Sequence, residues 1–286
     1  MEERKFKIVT DSSADLFELS GVNFAAAPLK IITKDREFTD DEKLDVHQMV
    51  EYLKGYKGRS KTSCPNKEDY LKAFGDADEV YCVTITAKLS GSYNSACLAK
   101  REYEQAHPDR RVYVFNSLST GAEMALVIEK IREMLLSGAD FDTTVKAAEE
   151  YSKSTGLIFM LESMTNLANN GRVSGFVAKM AGFLGIRLVG RASDVGDLEP
   201  IEKCRGAAGA LTGVLNALKN LGYSGGKIYV THCENPDFAN SLLDRVKAIY
   251  PDAEAKLYAM GGLTSFYAER GGLIVGFEKT VPKDNL

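Results

Sequence analysis

The sequence predicts an α/β fold in two domains: a Rossmann-like domain with a parallel sheet over residues 1–155, and a second α/β domain with a mixed sheet over residues 156–286. In the first half, short apolar segments alternate with longer segments of helical periodicity, as in parallel sheets with crossover helices. In the second half, two strand-like segments flank the turn residues Gly196 and Asp197, which indicates a hairpin and hence a mixed sheet.

Three strands of the first half are each followed by a polar turn and then a helix. The predicted strands are 6–10, 80–86 and 111–115. The predicted helices are 46–53, 67–74, 92–107 and 121–137. The turns place polar side chains at the carboxyl ends of strands, namely Ser12, Ser13, Ser90, Ser92, Asn116 and Ser117. Open α/β sheets bind their ligands at this edge.

The second half follows a less regular order of elements. Helices are predicted near 141–154, over 207–221 and over 238–249. Strands are predicted at 157–161, on both sides of the Gly-Asp turn, at 227–233, at 254–260 and at 271–278. The Ser-Thr-Gly run at 154–156 marks the predicted domain boundary.

Composition and charge exclude several classes of function. Apolar residues make up 44% and charged residues 27% of the chain, which is typical of a folded globular protein. A net charge of -4 gives no basic surface for phosphate backbones, so we expect no nucleic-acid partner. No segment approaches the roughly 20 apolar residues of a membrane-spanning helix. The N-terminus has no signal-peptide core, and we therefore expect no stable membrane insertion and a cytoplasmic location.

Cysteine and histidine usage predicts neither a disulfide framework nor a metal site. The five cysteines are odd in number and form no CxxC pair, which is typical of reduced structural thiols. The chain has only three histidines, so a three-histidine metal site would need all of them. We therefore expect no metal and no cofactor.

The segment LSGSYNSA, residues 89–96, is the most informative for function. Ser90, Gly91 and Ser92 lie where a predicted strand ends and a helix begins. Free backbone N–H groups, the positive end of the helix dipole and two hydroxyls meet there, and this combination binds anions. The alternative is a simple N-cap, because serine is a favoured capping residue whatever the function.

Two further turns carry hydroxyls. In KTSCPN, residues 61–66, Thr62 and Ser63 precede a proline that begins a helix, and in TDSSADL Ser12 or Ser13 precedes a helix predicted through Leu16. Taken alone, each hydroxyl is explained as a helix cap. Because several such turns lead to one sheet edge, we also consider a ligand site there.

A serine-nucleophile hydrolase or transferase is a second hypothesis. His232 ends a predicted strand and would act as the general base for Ser90 across the domain cleft. No GxSxG elbow precedes a helix, which weighs against it. Phosphate-loop patterns are also absent, so nucleotide catalysis has little support.

An ordered set of segments resembles the DegV family of fatty-acid-binding proteins. The match covers residues 6–277 and comprises TDSSADL, KTSCP, VTITAKLSGSYNSA, VFNSLSTGAEM, NLANNGRVSG, the GDLEPIEKCRG run and GGLIVGFE. The resemblance implies that a long-chain fatty acid, palmitate for example, is buried between helices and sheet at the domain junction. It also implies that Thr62 and Ser90 hold the carboxylate, with Gly91 and Ser92 beside them, and that the protein is not itself an enzyme.

The resemblance further implies a partner. In several bacterial members the bound fatty acid is presented to a fatty acid kinase, and the acyl phosphate enters phospholipid synthesis. Arg172 matches a family position tied to that reaction, with an ion pair as the alternative explanation. Tyr267 stands where the family often has a histidine. We also consider Tyr267, Ser12 and Ser117 as contacts of the head group or the kinase, and a lipid-sensing regulator as a third function.

Overall fold

A computed structural model describes residues 5–173 and 185–279. A short 3-10 helix, Ser12–Ala14, follows the first strand. The other elements up to residue 153 are, in chain order, β1 (Phe6–Asp11), β2 (Phe24–Ala27), β3 (Lys30–Ile32), β4 (Glu37–Thr39), α1 (Val46–Gly55), β5 (Lys61–Ser63), α2 (Lys67–Phe74), β6 (Glu79–Thr84), α3 (Ser92–Ala106), β7 (Arg111–Asn116), α4 (Gly121–Leu136) and α5 (Phe141–Lys153).

The rest of the described chain forms a second set of elements. In chain order they are β8 (Thr155–Leu161), α6 (Thr165–Asn169), β9 (Ile186–Ala192), β10 (Leu198–Arg205), α7 (Gly206–Asn220), β11 (Lys227–His232), α8 (Pro236–Ile249), β12 (Glu254–Ala259), α9 (Gly262–Ala268) and β13 (Leu273–Glu278). Residues 174–184 separate α6 from β9, and the last two residues of the NLANNGRVSG motif lie outside the described residues.

The first half contains the predicted parallel sheet. Its strand order is β2-β1-β6-β7, and every pairing is parallel. A separate antiparallel sheet of order β4-β3-β5 was not predicted from the sequence. Its strands have three residues each, too few to produce a recognisable alternation of apolar and polar side chains.

The second half contains the predicted mixed sheet, and the fold class is therefore confirmed. Its order is β10-β9-β8-β13-β11-β12, with β11 and β12 parallel and the other neighbours antiparallel. Strands β9 and β10 form the predicted hairpin around Gly196. Within the described residues, no helix has the length and apolar character needed to cross a membrane, and the cytoplasmic location stays a prediction.

Helix α4 joins the two large sheets. Its first eight residues, 121–128, are all buried, and Glu123 is the one charged residue among them. It packs on the parallel sheet and on β13, where a side chain at Gly276 would lie 2.4 Å from the backbone nitrogen of Glu123. The domain boundary at residue 155 stays a prediction, because α4 belongs in sequence to the first half and contacts both sheets.

The local capping predictions for Thr62 and for Ser12 or Ser13 are wrong. Thr62 lies in β5, opposite Ile31 of β3, and α2 is instead capped by Asn66 in a capping box with Asp69. After β1 the chain forms only the 3-10 turn, whose N-cap is the side chain of Asp11. Thr62 therefore does not cap a helix, contrary to the prediction from the sequence.

Candidate ligand-binding site

A cavity of about 270 Å³ lies between the two halves of the fold. Its apolar wall is formed by the face of the mixed sheet, mainly by Leu157, Phe159 and Leu161 of β8 and Ile274 of β13. Leu198 of β10 and Leu263 of α9 extend this wall. The remaining lining includes Thr62 and Ser63 of β5, Ser90 and Gly91 before α3, Arg172 after α6 and Tyr267 of α9.

The polar residues form one contiguous cluster. Thr62 Oγ1 and the phenol oxygen of Tyr267 are 2.7 Å apart and share a hydrogen bond. The guanidinium carbon of Arg172 lies 5.9 Å from the centroid of the Tyr267 ring. Arg172 also donates from Nε to the carbonyl oxygen of Leu89 at 3.3 Å, which places it next to Ser90. The structure therefore brings together four of the predicted site residues.

The loop with Ser90 begins helix α3. Gly91 is the N-cap residue, and Ser90 Oγ accepts a hydrogen bond from the backbone nitrogen of Ser92 at 3.2 Å. The hydroxyl of Ser90 in turn donates to Ser92 Oγ at 3.2 Å. A side chain at Gly91 would lie 3.0 Å from the sulfur of Cys64, which also lines the cavity. Ser90 is therefore not the N-cap residue, but its hydroxyl accepts from the first backbone N–H of α3 and it lines the cavity.

Ser92 lies behind this loop and not on the cavity wall. It is fully buried, and its hydroxyl interacts with the carboxyl group of Asp11. Asp11 also accepts from the backbone nitrogen of Ile85 at 3.0 Å and from the Tyr70 hydroxyl at 3.4 Å. Burial raises the pKa of Asp11, although hydrogen bonds from Ser13, Ile85 and Ser92 oppose the shift. A buried network thus fixes the Ser90 loop from behind.

Arg172 and Tyr267 give the cluster its electrostatic character. Within the described residues Arg172 has no carboxylate partner, because its hydrogen bonds go to the carbonyl oxygens of Leu89 and of Asn170, the latter at 2.6 Å. Burial raises the pKa of Tyr267, so the phenol stays protonated and is able to donate. The cluster consists of donors around one cation, which suits an anionic group.

Two predicted contacts lie away from this cluster. Ser12 is buried and its hydroxyl accepts from the backbone nitrogen of Leu29 at 3.0 Å. Ser117 donates to the carbonyl oxygen of Ser119 at 3.1 Å within its own loop. Neither residue lines the cavity, and their predicted roles have no support from its geometry.

Two threonines line the cavity and were not predicted. Thr120 donates to the carbonyl oxygen of Ser13 at 3.3 Å, and Thr264 donates to the carboxylate of Asp15. Thr120 directly precedes α4 in the LSTGAEM segment, a signal of the same kind as at Ser90. Thr264 had no such signal, because the short helix α9 was not recognised in the sequence.

Two buried aspartates hold the N-terminus of α9. Asp15 accepts from the backbone nitrogen of Gly261 at 2.8 Å, and Asp40 accepts from those of Gly262 and Leu263 at 2.6 and 2.9 Å. Burial raises the pKa of Asp15 to about 7 and that of Asp40 to about 6. These contacts attach the helix that carries Tyr267 to segments of the first half.

The geometry does not support a serine nucleophile. His232 Nδ1 accepts from the backbone nitrogen of Asn235 at 3.2 Å, and its side chain is not part of the cavity wall. The hydroxyl of Ser90 is bonded to Ser92 and not to an imidazole. Among the described residues there is also no group of three or more side chains arranged to hold a metal ion.

The α/β fold encloses a cavity that combines an apolar wall with a cluster of hydrogen-bond donors. This combination defines a class of binding protein, whose ligand has an anionic end and an apolar body. The protein-family model described as "Uncharacterised protein, DegV family" matches residues 5–280 of this chain. A DegV domain-containing protein of Streptococcus pneumoniae is 39% identical over 277 residues, covering 96% of this chain and 99% of that protein. The chain belongs to the DegV family.

Solved structures agree with this assignment. A DegV family protein from Eubacterium eligens loaded with heptadecanoic acid has a TM-score of 0.94 at 44% identity, covering 96% of this chain and all of that one. The Streptococcus pneumoniae Fatty Acid Kinase (Fak) B3 protein loaded with linoleic acid has a TM-score of 0.95 at 39% identity, with the same coverage. A DegV family protein from Ruminococcus gnavus with vaccenic acid has a TM-score of 0.86 at 29% identity, again with the same coverage.

Proposed function

We propose that this protein binds a long-chain fatty acid, with the carboxylate at Thr62, Ser90, Arg172 and Tyr267 and the acyl chain along the apolar wall. The observation that carries the proposal is that one cavity joins this cluster of donors to the leucine-rich face of β8. The fatty acids in the E. eligens and S. pneumoniae structures support the same ligand class.

The two parts of the cavity contribute differently to binding. A carboxylate under the protein surface is costly unless donors satisfy it, and hydroxyls, a phenol and a guanidinium supply them. Each buried methylene contributes about 0.8 kcal/mol, so an acyl chain of about sixteen carbons gains on the order of 10 kcal/mol before the costs of association. The tail therefore provides most of the affinity, and the head provides register and selectivity for an acid.

We further propose that the protein presents its fatty acid to a fatty acid kinase. The likeness to the Fak B3 protein supports this role. The position of Arg172 is consistent with it, because a cation with no carboxylate partner among the described residues would also stabilise the charge of an acyl phosphate. Tyr267 in place of the family histidine provides a neutral donor at the same place.

The ligand is tested by mass spectrometry of solvent extracts from natively purified protein, followed by titration of delipidated protein. We expect a co-purified long-chain fatty acid, and binding of palmitate and oleate. Hexadecanol, with the same chain as palmitate and no carboxyl group, is the matched ligand and should bind much more weakly. An empty protein that takes up neither acid would contradict the proposal.

The partner is tested separately. Lipid-loaded protein, used as bait in a lysate of its native host, should retain a kinase subunit. The purified pair should convert the bound acid to an acyl phosphate in an ATP-dependent reaction. If the loaded protein binds fatty acid but supports no such reaction with any retained kinase, the carrier role stands and the kinase role does not.

A further inference from the structure

Strand β8 divides its side chains between two cores. Leu157, Phe159 and Leu161 face the cavity, whereas Ile158 and Met160 face the core formed with helices α7 and α8. This alternation is the ordinary consequence of the pleat. Phe159 is the one aromatic side chain that the mixed sheet contributes to the cavity lining, within the residues described.

The ring of Phe159 lies over a glycine of the neighbouring strand. Gly190 of β9 is the direct cross-strand partner of Phe159. A Cβ atom at Gly190 would lie 2.1 Å from Cζ and 2.5 Å from Cε2 of the ring, both impossible contacts. On the other side of Phe159 the cross-strand partner is Ile274, which also lines the cavity. The ring therefore leans toward the glycine and away from the space that Ile274 borders.

The same sheet contains a matched pair on its opposite face. Gly156 of β8 is opposite Phe277 of β13, and a Cβ atom at Gly156 would lie 2.7 Å from the ring. Phe277 is fully buried in the other core and does not line the cavity. Each of the two phenylalanine rings lies against a glycine of the neighbouring strand, but only Phe159 borders the ligand space.

We propose that the Phe159–Gly190 pair determines which acyl chains the cavity accepts, because the ring occupies the position that Gly190 leaves open and thereby sets the depth of the apolar wall. The inference rests on the proposed binding of a fatty acid. A smaller side chain at 159 would enlarge the cavity toward Gly190, and a larger one would extend into the space beside Ile274. Close-packed interiors respond to volume changes of this size.

The test compares F159L and F159W with the wild type and with F277L as the matched control. Each delipidated protein is titrated with saturated fatty acids from laurate to arachidate. We expect F159L to move the preference toward longer chains, by about fourfold in affinity for each additional methylene that fits. F159W should move the preference toward shorter chains, and F277L should keep the wild-type order of chain lengths.

The outcomes separate this inference from the proposed function. A wild-type protein that binds no fatty acid contradicts the proposed function itself. A wild type that binds, with F159L and F159W keeping its chain preference, overturns the role of Phe159. The same shift in F277L would also overturn it, since the effect would then come from general loosening of the sheet. F159M, whose side chain is smaller than phenylalanine and close in volume to leucine, replaces F159L if that variant does not fold, and the same shift is expected.

Discussion

The two large sheets contribute to the cavity in different ways. The parallel sheet provides loops after its strands, where Ser90 and Thr120 offer hydroxyls close to helix N-termini. The mixed sheet provides a face, on which Leu157 and Phe159 present only carbon atoms. Recognition of a polar group requires backbone N–H and C=O groups that are not already hydrogen-bonded. The backbone of a sheet has its hydrogen bonds satisfied, so a sheet face suits a hydrocarbon chain. Head and tail are thus bound by separable parts of the molecule.

The largest effect on affinity is expected when donors to the ligand's carboxylate are removed. In Thr62→Ala with Ser90→Ala, the carboxylate loses two donors, and each hydrogen bond to a charged group contributes about 1.5–3 kcal/mol. We expect the affinity for palmitate to fall by at least about a hundredfold, measured by isothermal titration calorimetry. The affinity for hexadecanol should change much less.

Ser117→Ala is the control for this double variant. Ser117 lies at the same sheet edge and outside the cavity lining, so its removal should leave palmitate binding unchanged. A large loss of palmitate affinity in this variant would support the predicted contact of Ser117 with the head group and contradict its position outside the cavity lining. Unchanged affinity in the double variant would remove Thr62 and Ser90 from the site.

The next effect concerns the attachment of α9 between the two halves. The folded-state pKa values of Asp15 and Asp40, about 7 and about 6, lie above the ordinary value of an aspartate. The folded state therefore binds protons more tightly, and this contribution to stability is present at low pH and is lost as the pH rises through these values. We expect the free energy of unfolding to fall by roughly 1–3 kcal/mol between about pH 5 and about pH 7.5, in urea titrations.

Asp15→Asn should flatten that dependence, because the amide does not titrate. Asp109→Asn is the matched control, since Asp109 is exposed and lies in the turn between α3 and β7. A pH dependence that survives Asp15→Asn in full would show that other groups cause it.

A smaller effect is expected from the cation of the head cluster. Arg172→Gln removes the charge and keeps part of the polar contact, so palmitate should bind about tenfold more weakly, with a weaker dependence on salt. Arg191→Gln is the control, because Arg191 is paired with Glu199 and does not line the cavity. Equal losses in the two variants, measured in the same calorimetric titration, would argue against a specific role of Arg172.

The smallest effect is expected from the phenol. Tyr267→Phe removes the partner of Thr62 and keeps the ring, and we expect about a threefold loss of palmitate affinity by calorimetry. Tyr258→Phe removes a phenol that does not line the cavity and should have no effect. A loss of similar size to that of the double variant would make Tyr267 a principal ligand of the carboxylate.

The larger elements were predictable from the sequence because their periodicity is clear over many residues. Helix α2 was predicted with the observed bounds, 67–74, and both large sheets were recognised. The four-residue strand β2, the three-residue strands β3, β4 and β5 and the short helices α6 and α9 were missed, because segments of this length carry too few residues for a periodic signal.

The candidate site was predictable only where a turn followed a strand. Ser90 met that condition, and the family resemblance added Thr62 and Arg172. Thr264 and Phe159 depend on how α9 and β8 pack in three dimensions, and no local pattern marks them as cavity residues. The capping role assigned to Thr62 failed because local propensity takes no account of the strand pairing with Ile31.

The hydrogen bond from Thr264 to Asp15 has a thermodynamic consequence. Thr264 is on the cavity wall, and Asp15 binds a proton near neutral pH. A ligand that strengthens or weakens this bond must therefore change the number of protons the protein carries, and by reciprocity the pH must change the ligand's affinity by the same coupling. Loading and unloading of the cavity would then exchange protons with the buffer, and the heat of binding would vary with the ionisation enthalpy of that buffer.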